Sequence, residues 1–127
     1  MDSSGGVGSL FNYLPPYEKE VRPWGEFERF TLNEPSTVKI ITVNAGEEFS
    51  LQTHAHRDEF WRVLSGSGTM TINDQTLEAK PGDSIYSARG TKHRAHGGPD
   101  GLVFLEIAFG VFDEKDITRL EDKYGRT

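Results

Sequence analysis

The segment from Gly46 to Gly66 constrains this chain most strongly, because it gathers metal-ligand side chains on one short extended run. Alternate residues of a β-strand point to the same face of a sheet. Gln52, His54 and His56 are therefore expected to form one polar row. Imidazole nitrogens and side-chain oxygens are common ligands of divalent metals. The spacing indicates a metal-binding face, and the alternative is a solvated polar face with unrelated histidines.

Two further side chains can join this row. Glu59 follows a tight turn at residues 57–58 and begins the next extended stretch, from which its carboxylate can return to the same cluster. His93 ends a second segment that is also punctuated by glycines. Either Gln52 or His56 could complete a ligand set with these residues, since both lie on the same predicted face.

Short β-branched and aromatic runs predict an all-β fold. Residues 38–43 and 102–109 are the strongest strand signals, because both are rich in Val, Ile, Leu or Phe. Gly, Asp and Asn separate the runs, and turns are predicted at residues 65–68, 73–75 and 81–83. Such spacing is typical of a sandwich or barrel. Asp113 is a candidate helix cap, so a short C-terminal helix is predicted over residues 114–124.

The bulk properties indicate one globular domain. A length of 127 residues favours a single core, expected over residues 21–127. Residues 1–20 are polar, glycine-rich and broken by two prolines, so we expect a flexible N-terminal arm. The net charge of -6 and the absence of a long basic run argue against nucleic acid as a partner. No membrane partner is expected, and a cytoplasmic location is, because the sequence shows neither a spanning apolar run nor a signal peptide.

The two glycine-punctuated segments resemble the two motifs of the cupins, small jelly-roll barrels (double-stranded β-helices) that hold one metal ion. The first cupin motif reads Gly, five residues, His-x-His, three or four residues, Glu, six residues, Gly. It fits this chain only when Gln52 takes the first His position, which favours Gln52 over His56. The resemblance implies one divalent metal, with Zn expected first and Mn, Fe, Co or Ni compatible. Its implied ligands are Gln52, His54, Glu59 and His93.

A narrower resemblance covers residues 21–126. Four stretches carry it in order: residues 22–25 (Arg-Pro-Trp-Gly), 38–43, 50–63 and 116–126, which end in Tyr-Gly-Arg. They are similar to the C-terminal cupin domain of type II mannose-6-phosphate isomerases. In that family the domain usually follows a mannose-1-phosphate guanylyltransferase domain, which the resemblance does not include. Only the isomerase activity is therefore expected here.

The resemblance implies interconversion of mannose 6-phosphate and fructose 6-phosphate, in which a proton moves between C2 and C1. Such a reaction needs a Lewis acid, a proton-transfer group and a cationic clamp for the phosphate. Lys39 and Glu106 are the first candidates for proton transfer, and His56 is the next. An outward-facing strand carboxylate is an equally good interpretation of Glu106. Arg57 and Arg126 are the candidates for holding the phosphate.

Two other functions fit the same residues. His54, Glu59 and His93 make the two-histidine, one-carboxylate set of non-haem Fe(II) dioxygenases. A non-catalytic sugar-binding cupin is the other alternative, since a fold does not fix an activity. Trp24 or Trp61 could face a sugar. A homodimer is expected, because the N-terminal arm and the open sheet edges favour pairing.

Overall fold

The computed structural model describes residues 17–126, and this part of the chain contains strands and turns but no helix. The predicted all-β jelly-roll architecture is confirmed. The strands are β1 (Glu18–Arg22), β2 (Gly25–Arg29), β3 (Ser36–Val43), β4 (Leu51–Thr53), β5 (Arg57–Ile72), β6 (Gln75–Ala79), β7 (Ser84–Ser87), β8 (His93–Gly110) and β9 (Thr118–Glu121).

Two long strands, β5 and β8, organise the barrel. They pair with each other in antiparallel fashion, and the larger sheet has the order β6-β5-β8-β4-β9. Strand β3 pairs with β8, and β7 pairs with β5. The β1–β2 hairpin forms a separate two-stranded sheet. Register shifts interrupt the β5–β8 ladder after Val63 and after Gly66. Because such bulges bend a strand, they let one long pair curve around the core.

Glycines permit the tight approach of backbone at this bend. A Cβ atom on Gly66 would lie 2.2 Å from the carbonyl oxygen of Gly101, and one on Gly68 would lie 2.1 Å from that of His96. Gly66 also has a φ of 81°, which favours glycine. The glycines predicted to form a turn at residues 65–68 therefore form a bulge inside one continuous strand.

Two apolar clusters stabilise the described part of the chain. The larger one fills the barrel interior around Trp61, Met70 and Phe104. The smaller one comprises Phe60, Ile107 and Phe109, with partly buried aromatic and aliphatic side chains packed against it, including Tyr17 and Phe30. Adjacent residues of β5, Phe60 and Trp61, thus belong to different clusters. Their alternation means that both faces of the sheet carry apolar side chains.

The predicted C-terminal helix is wrong. Residues 118–121 form β9, which pairs with β4, and Arg119 lies opposite Gln52. Asp113 closes a turn, with its side chain accepting from the backbone N–H of Lys115 and its carbonyl accepting from that of Asp116. Short helices gain little from local propensity alone. Strand pairing with β4 offers the backbone a stronger set of partners, and it prevails.

The predicted N-terminal arm lies mostly outside the described residues, which begin at Tyr17. Of the predicted arm, residues 18–20 form the start of β1. None of the described residues belongs to a helix of the length and apolarity needed to cross a bilayer.

Candidate metal centre and its cavity

Three buried side chains from different parts of the chain converge inside the barrel. Glu59 lies on β5, His93 begins β8, and His54 follows the end of β4. One potential ligand atom from each residue lies within 4.8 Å of the others, and the arrangement could hold a metal ion. All three side chains are almost completely buried. A cluster of two imidazoles and one carboxylate is a suitable donor set for a divalent first-row metal.

Both imidazoles present the same nitrogen to the carboxylate. Nε2 of His54 lies 3.4 Å from Oε2 of Glu59, and Nε2 of His93 lies 3.6 Å from Oε1. The Nδ1 atoms face backbone carbonyls, that of Asp116 at 2.6 Å and that of Thr91 at 3.1 Å. A carbonyl can only accept, so Nδ1 carries the proton in each ring. The Nε2 lone pairs therefore face the cluster, as metal binding requires, and that of His54 accepts from Nη2 of Arg57 at 3.2 Å.

The protonation states of these groups also suit a metal. Burial lowers the pKa of His93 to about 4, with partial compensation from the Glu59 charge, so its imidazole is neutral at pH 7. Burial opposes ionisation of Glu59, but His93, His54 and Arg57 outweigh it and lower the pKa of this carboxyl. A neutral imidazole and an ionised carboxylate are the forms that bind metals.

Gln52 is placed beside this cluster. It lies opposite His93 in the β4–β8 pair and lines the same cavity. Its Nε2 donates to the carbonyl oxygen and the hydroxyl oxygen of Ser50, at 3.1 and 2.9 Å. The amide nitrogen is thus engaged by Ser50, which leaves Oε1 available as an oxygen ligand. This arrangement supports Gln52 as the fourth ligand, which stays a prediction.

The expected polar row does not extend to His56. Strand β4 ends at Thr53, and residues 55–56 form a bend, so strand alternation stops before His56. His56 is exposed and lines a separate shallow depression together with Val111 and Lys115. A strand face continues only while the chain remains extended, and the bend directs His56 away from the cluster.

Trp61 belongs to the site, whereas Trp24 does not. The indole N–H of Trp61 donates to Oε1 of Glu59 at 3.2 Å, and its ring packs edge-on against His93 with centroids 5.3 Å apart. It thereby fixes two members of the cluster from the apolar core. Trp24 lies in the β1–β2 turn and is 74% exposed.

Glu106 and Lys39 face each other within the cavity. They are opposite residues of the β3–β8 pair, and both line the cavity that contains the cluster. Glu106 is buried, so its side chain faces the barrel interior and not the solvent. Burial first, and then the charge of Glu59, raises its pKa to about 7. Lys39 is about one-third exposed, and its Nζ lies 3.3 Å from Glu114 and 4.6 Å from the ring centroid of Phe112.

Arg57 is committed to neighbouring groups. Its Nε donates to Oε2 of Glu59 at 2.9 Å, and Nη1 donates to the Asp113 carbonyl at 3.2 Å. Its guanidinium also lies 4.5 Å from the ring centroid of Phe112. Arg57 therefore forms a buried salt bridge with Glu59. Arg57 nevertheless lines the cavity.

The structure does not bring Arg126 to this cavity. Arg126 is exposed and pairs with Asp122, four residues earlier, through Nε at 2.9 Å and Nη2 at 3.0 Å. A different arginine, Arg119 on β9, lines the cavity together with Ile117. Sequence reasoning overlooked Arg119 because it assigned residues 114–124 to a helix. A period of two would have placed residues 117 and 119 on one face.

The fold and this cluster define a cupin-type barrel. A cupin protein from Bacteroides fragilis has a similar structure, with a TM-score of 0.55, 27% identity, and coverage of 60% of this chain and 66% of that one. Two further structures are similar to this chain in fold alone. Oxalate decarboxylase from Bacillus subtilis has a TM-score of 0.63 at 24% identity, covering 68% of this chain and 24% of its own. Streptomyces Pac13, a nucleoside dehydratase, has a TM-score of 0.61 at 17% identity, covering 87% and 89%.

The chain belongs to the family described as mannose-6-phosphate isomerase C-terminal, which matches residues 14–122. The xanthan biosynthesis protein XanB of Xanthomonas campestris is 39% identical over 87% of this chain and 24% of its own length. The alginate biosynthesis protein AlgA of Pseudomonas aeruginosa is 41% identical over 84% and 22%. The mannose-1-phosphate guanylyltransferase ManC of Salmonella typhimurium is 38% identical over 83% and 22%. The chain thus spans about a quarter of the length of these curated relatives.

Proposed function

We propose that this chain is a metal-dependent aldose–ketose isomerase that interconverts mannose 6-phosphate and fructose 6-phosphate. The observation that carries the proposal is one cavity lined by the two histidines of a metal-type cluster, a buried carboxyl group and cationic side chains. Family membership adds the sugar-phosphate chemistry. The same groups would meet the needs of an isomerase: a Lewis acid, a proton acceptor and an anion clamp.

The residues present fit a divalent metal. His54, Glu59 and His93 would hold it, with Gln52 as a fourth ligand, and Zn suits this set of nitrogen and oxygen donors. Mn, Fe, Co and Ni accept the same donors. When bound, the ion would supply Lewis-acid stabilisation of the charge that develops on the sugar oxygens.

Glu106 is our proposed proton-transfer group. Isomerisation of the aldose removes a proton from C2 and returns one to C1, and a carboxylate can perform both transfers. Burial has already raised the pKa of Glu106 to about 7, and proton transfer is most effective when the pKa is near the working pH. Lys39 lies directly across the β3–β8 pair and is the alternative group. Its ammonium would otherwise stabilise the ionised form of Glu106.

Arg119 is our proposed phosphate ligand. It lies opposite Gln52 on the neighbouring strand and lines the cavity, so it can reach a substrate placed over the cluster. A guanidinium group binds a phosphate through two parallel hydrogen bonds. Arg57 is the less suitable candidate, because its Nε donates at 2.9 Å to Glu59, a member of the metal cluster, and so helps to hold that carboxylate in place.

A coupled assay tests the proposal. Metal-replete protein should convert mannose 6-phosphate to fructose 6-phosphate, whereas mannose and mannose 1-phosphate should give little or no turnover. The two-histidine, one-carboxylate set also fits an Fe(II) dioxygenase, which would consume oxygen with the iron-loaded protein. Full metal occupancy without turnover of any of these three sugars would refute the isomerase, and retained sugar binding would then favour a binding module.

A further inference from the structure

One outer part of the barrel carries apolar side chains that the described residues leave exposed. Strand β3 directs Ser36, Val38, Ile40 and Thr42 outward, and we call these four residues the β3 face. Val38 is 56% exposed and Ile40 is 65% exposed. In a sheet with one face towards water, outward positions are normally polar. The two exposed aliphatic side chains of the β3 face are therefore more typical of a surface that another element covers.

The neighbouring part of the same outer surface is covered by the chain itself. Phe30 packs on Phe60 with ring centroids 5.1 Å apart, and Tyr17 packs on Phe30 at 5.7 Å. Ile107, which pairs with both Val38 and Phe60, is buried as a result. These packed aromatic side chains cover β5 and β8 but not the adjacent β3, where Val38 and Ile40 remain exposed.

A second exposed apolar surface lies on the β1–β2 hairpin. Val21 is 79% exposed and Trp24 is 74% exposed, and we call these two residues the hairpin tip. Among residues 17–126, β1 and β2 form ladder pairs only with each other. A two-stranded hairpin is marginally stable in water unless it packs on another surface. An exposed tryptophan at its turn provides an anchor for such packing.

The two surfaces match in charge as well as in polarity. Most charges of the hairpin are paired within it, including Lys19 with Glu26 and Arg22 with Glu20, and Glu28 pairs with Arg62 of β5. The β3 face carries no ionisable side chain. Contact between them would thus bury apolar area without leaving a charge unpaired, which is the costly event in an interface.

We propose that a second copy of this chain covers both surfaces, with the hairpin tip of each protomer packed on the β3 face of its partner. One chain offers both complementary halves, so a two-fold axis satisfies two tips and two faces at once and closes the assembly. An exposed Trp contributes about 150–250 Å² of contact. Two such contacts would bury on the order of 1,000 Å² in total, near the lower limit for a specific interface. We therefore expect a dimer with a micromolar dissociation constant.

Sedimentation of the full chain across a concentration series tests this interface. The wild type should shift from monomer to dimer, and Trp24→Ser and Ile40→Glu should each weaken dimerisation about 30-fold or more. Val111→Glu is the matched control, because Val111 is 72% exposed and lies outside both surfaces, so it should leave the dimer intact. Bound metal and the circular-dichroism spectrum report folding. Val38→Ser replaces Ile40→Glu if that variant does not fold.

Mixing the two weakened variants distinguishes the exchange of hairpins from other dimers. A heterodimer of Trp24→Ser and Ile40→Glu retains one intact tip-to-face contact, so the mixture should dimerise more strongly than either variant alone. Failure of the mixture to do so would refute the exchange. A strictly monomeric wild type, as expected if residues 1–16 or another partner cover the β3 face, would refute the proposal, as would a dimer that both substitutions leave unchanged.

Discussion

The carbonyl oxygen of Asp116 accepts a hydrogen bond from Nδ1 of His54 at 2.6 Å, so the C-terminal segment holds an imidazole of the metal cluster in place. The carboxylate of Asp116 accepts from the backbone N–H groups of Ala55 and His56, at 2.8 and 2.9 Å. The bend after β4 and the turn before β9 are thereby joined. Since orientation of a ligand depends on such partners, Asp116 should influence metal binding without touching the metal.

Asp116→Ala should weaken metal binding by about tenfold. The substitution removes the carboxylate that accepts from the backbone N–H groups of Ala55 and His56, next to His54. Competition with a chelator would measure the affinity. Glu78→Ala is the matched control, since Glu78 is exposed on β6, a strand that carries none of the three cluster residues. An unchanged affinity in Asp116→Ala would show that residues 54–56 hold their position without this carboxylate.

His54→Ala and His93→Ala should each lose most of the bound metal, because each removes an Nε2 ligand directed at Glu59. Elemental analysis of the purified variants would measure occupancy. Gln52→Ala should lower the affinity, whereas His56→Ala should retain the metal, since His56 is exposed beyond the bend. The ligand assignment fails if His56→Ala strips the metal and Gln52→Ala does not.

Arg119→Ala should reduce kcat/KM for mannose 6-phosphate by roughly 30- to 1000-fold, because it removes a charge-assisted contact on the order of 2–4 kcal/mol in the transition state. Arg119→Lys should recover only part of this loss, since an ammonium lacks the planar fork. Bound metal should remain near the wild-type level, which separates a phosphate role from a loss of ligands. Steady-state kinetics with metal analysis on the same samples would measure both.

Arg126→Ala is the comparison for Arg119→Ala. Because Arg126 pairs with Asp122 away from the cavity, its removal should change kcat/KM by no more than a few-fold. The opposite result, with a large loss in Arg126→Ala and little change in Arg119→Ala, would restore the phosphate role that the family motif assigned to Arg126.

Glu106→Gln should stabilise the metal-free protein at alkaline pH. The pKa of Glu106 is raised from 4.5 to about 7 on folding, so the folded state binds this proton more tightly than the unfolded chain does. The resulting stability is fully present below about pH 4.5 and is lost as the pH rises through 7. A neutral glutamine avoids the burial of charge, and the free energy of unfolding at pH 8 should increase by about 1–3 kcal/mol.

Urea unfolding in the presence of a chelator would measure this effect at pH 5 and pH 8. The difference between Glu106→Gln and the wild type should be small at pH 5 and appear at pH 8. Glu78→Gln provides the exposed control and should show little change at either pH. A gain of equal size at both pH values would mean that packing, rather than ionisation, causes it.

Isomerase turnover should fall at least about 100-fold in Glu106→Gln, as expected for a proton-transfer group.

The local sequence predicted the candidate metal site correctly, because metal binding requires particular types of side chain. The spacing from Gly46 through His54 to Glu59 predicted a cluster that the structure brings together. It was misleading where a long-range partner decided the outcome. Residues 114–124 show a helix-like spacing, yet β4 pairs with residues 118–121. The glycines at 65–68 suggested a turn, yet β8 passes close enough to make them a bulge within β5.

The sequence by itself determined the all-β architecture and the histidine and carboxylate groups of the site, because strand periodicity and ligand chemistry are properties of short segments. Only the tertiary structure decided which side chains share the cavity. Glu106 could face either way until its pairing with Lys39 and Trp61 was known. Arg119 enters the cavity, and Arg126 does not, because β9 pairs with β4 and ends at Glu121. Contacts between distant segments set these choices, because strand periodicity places residues on a common face but does not say which face lines the cavity.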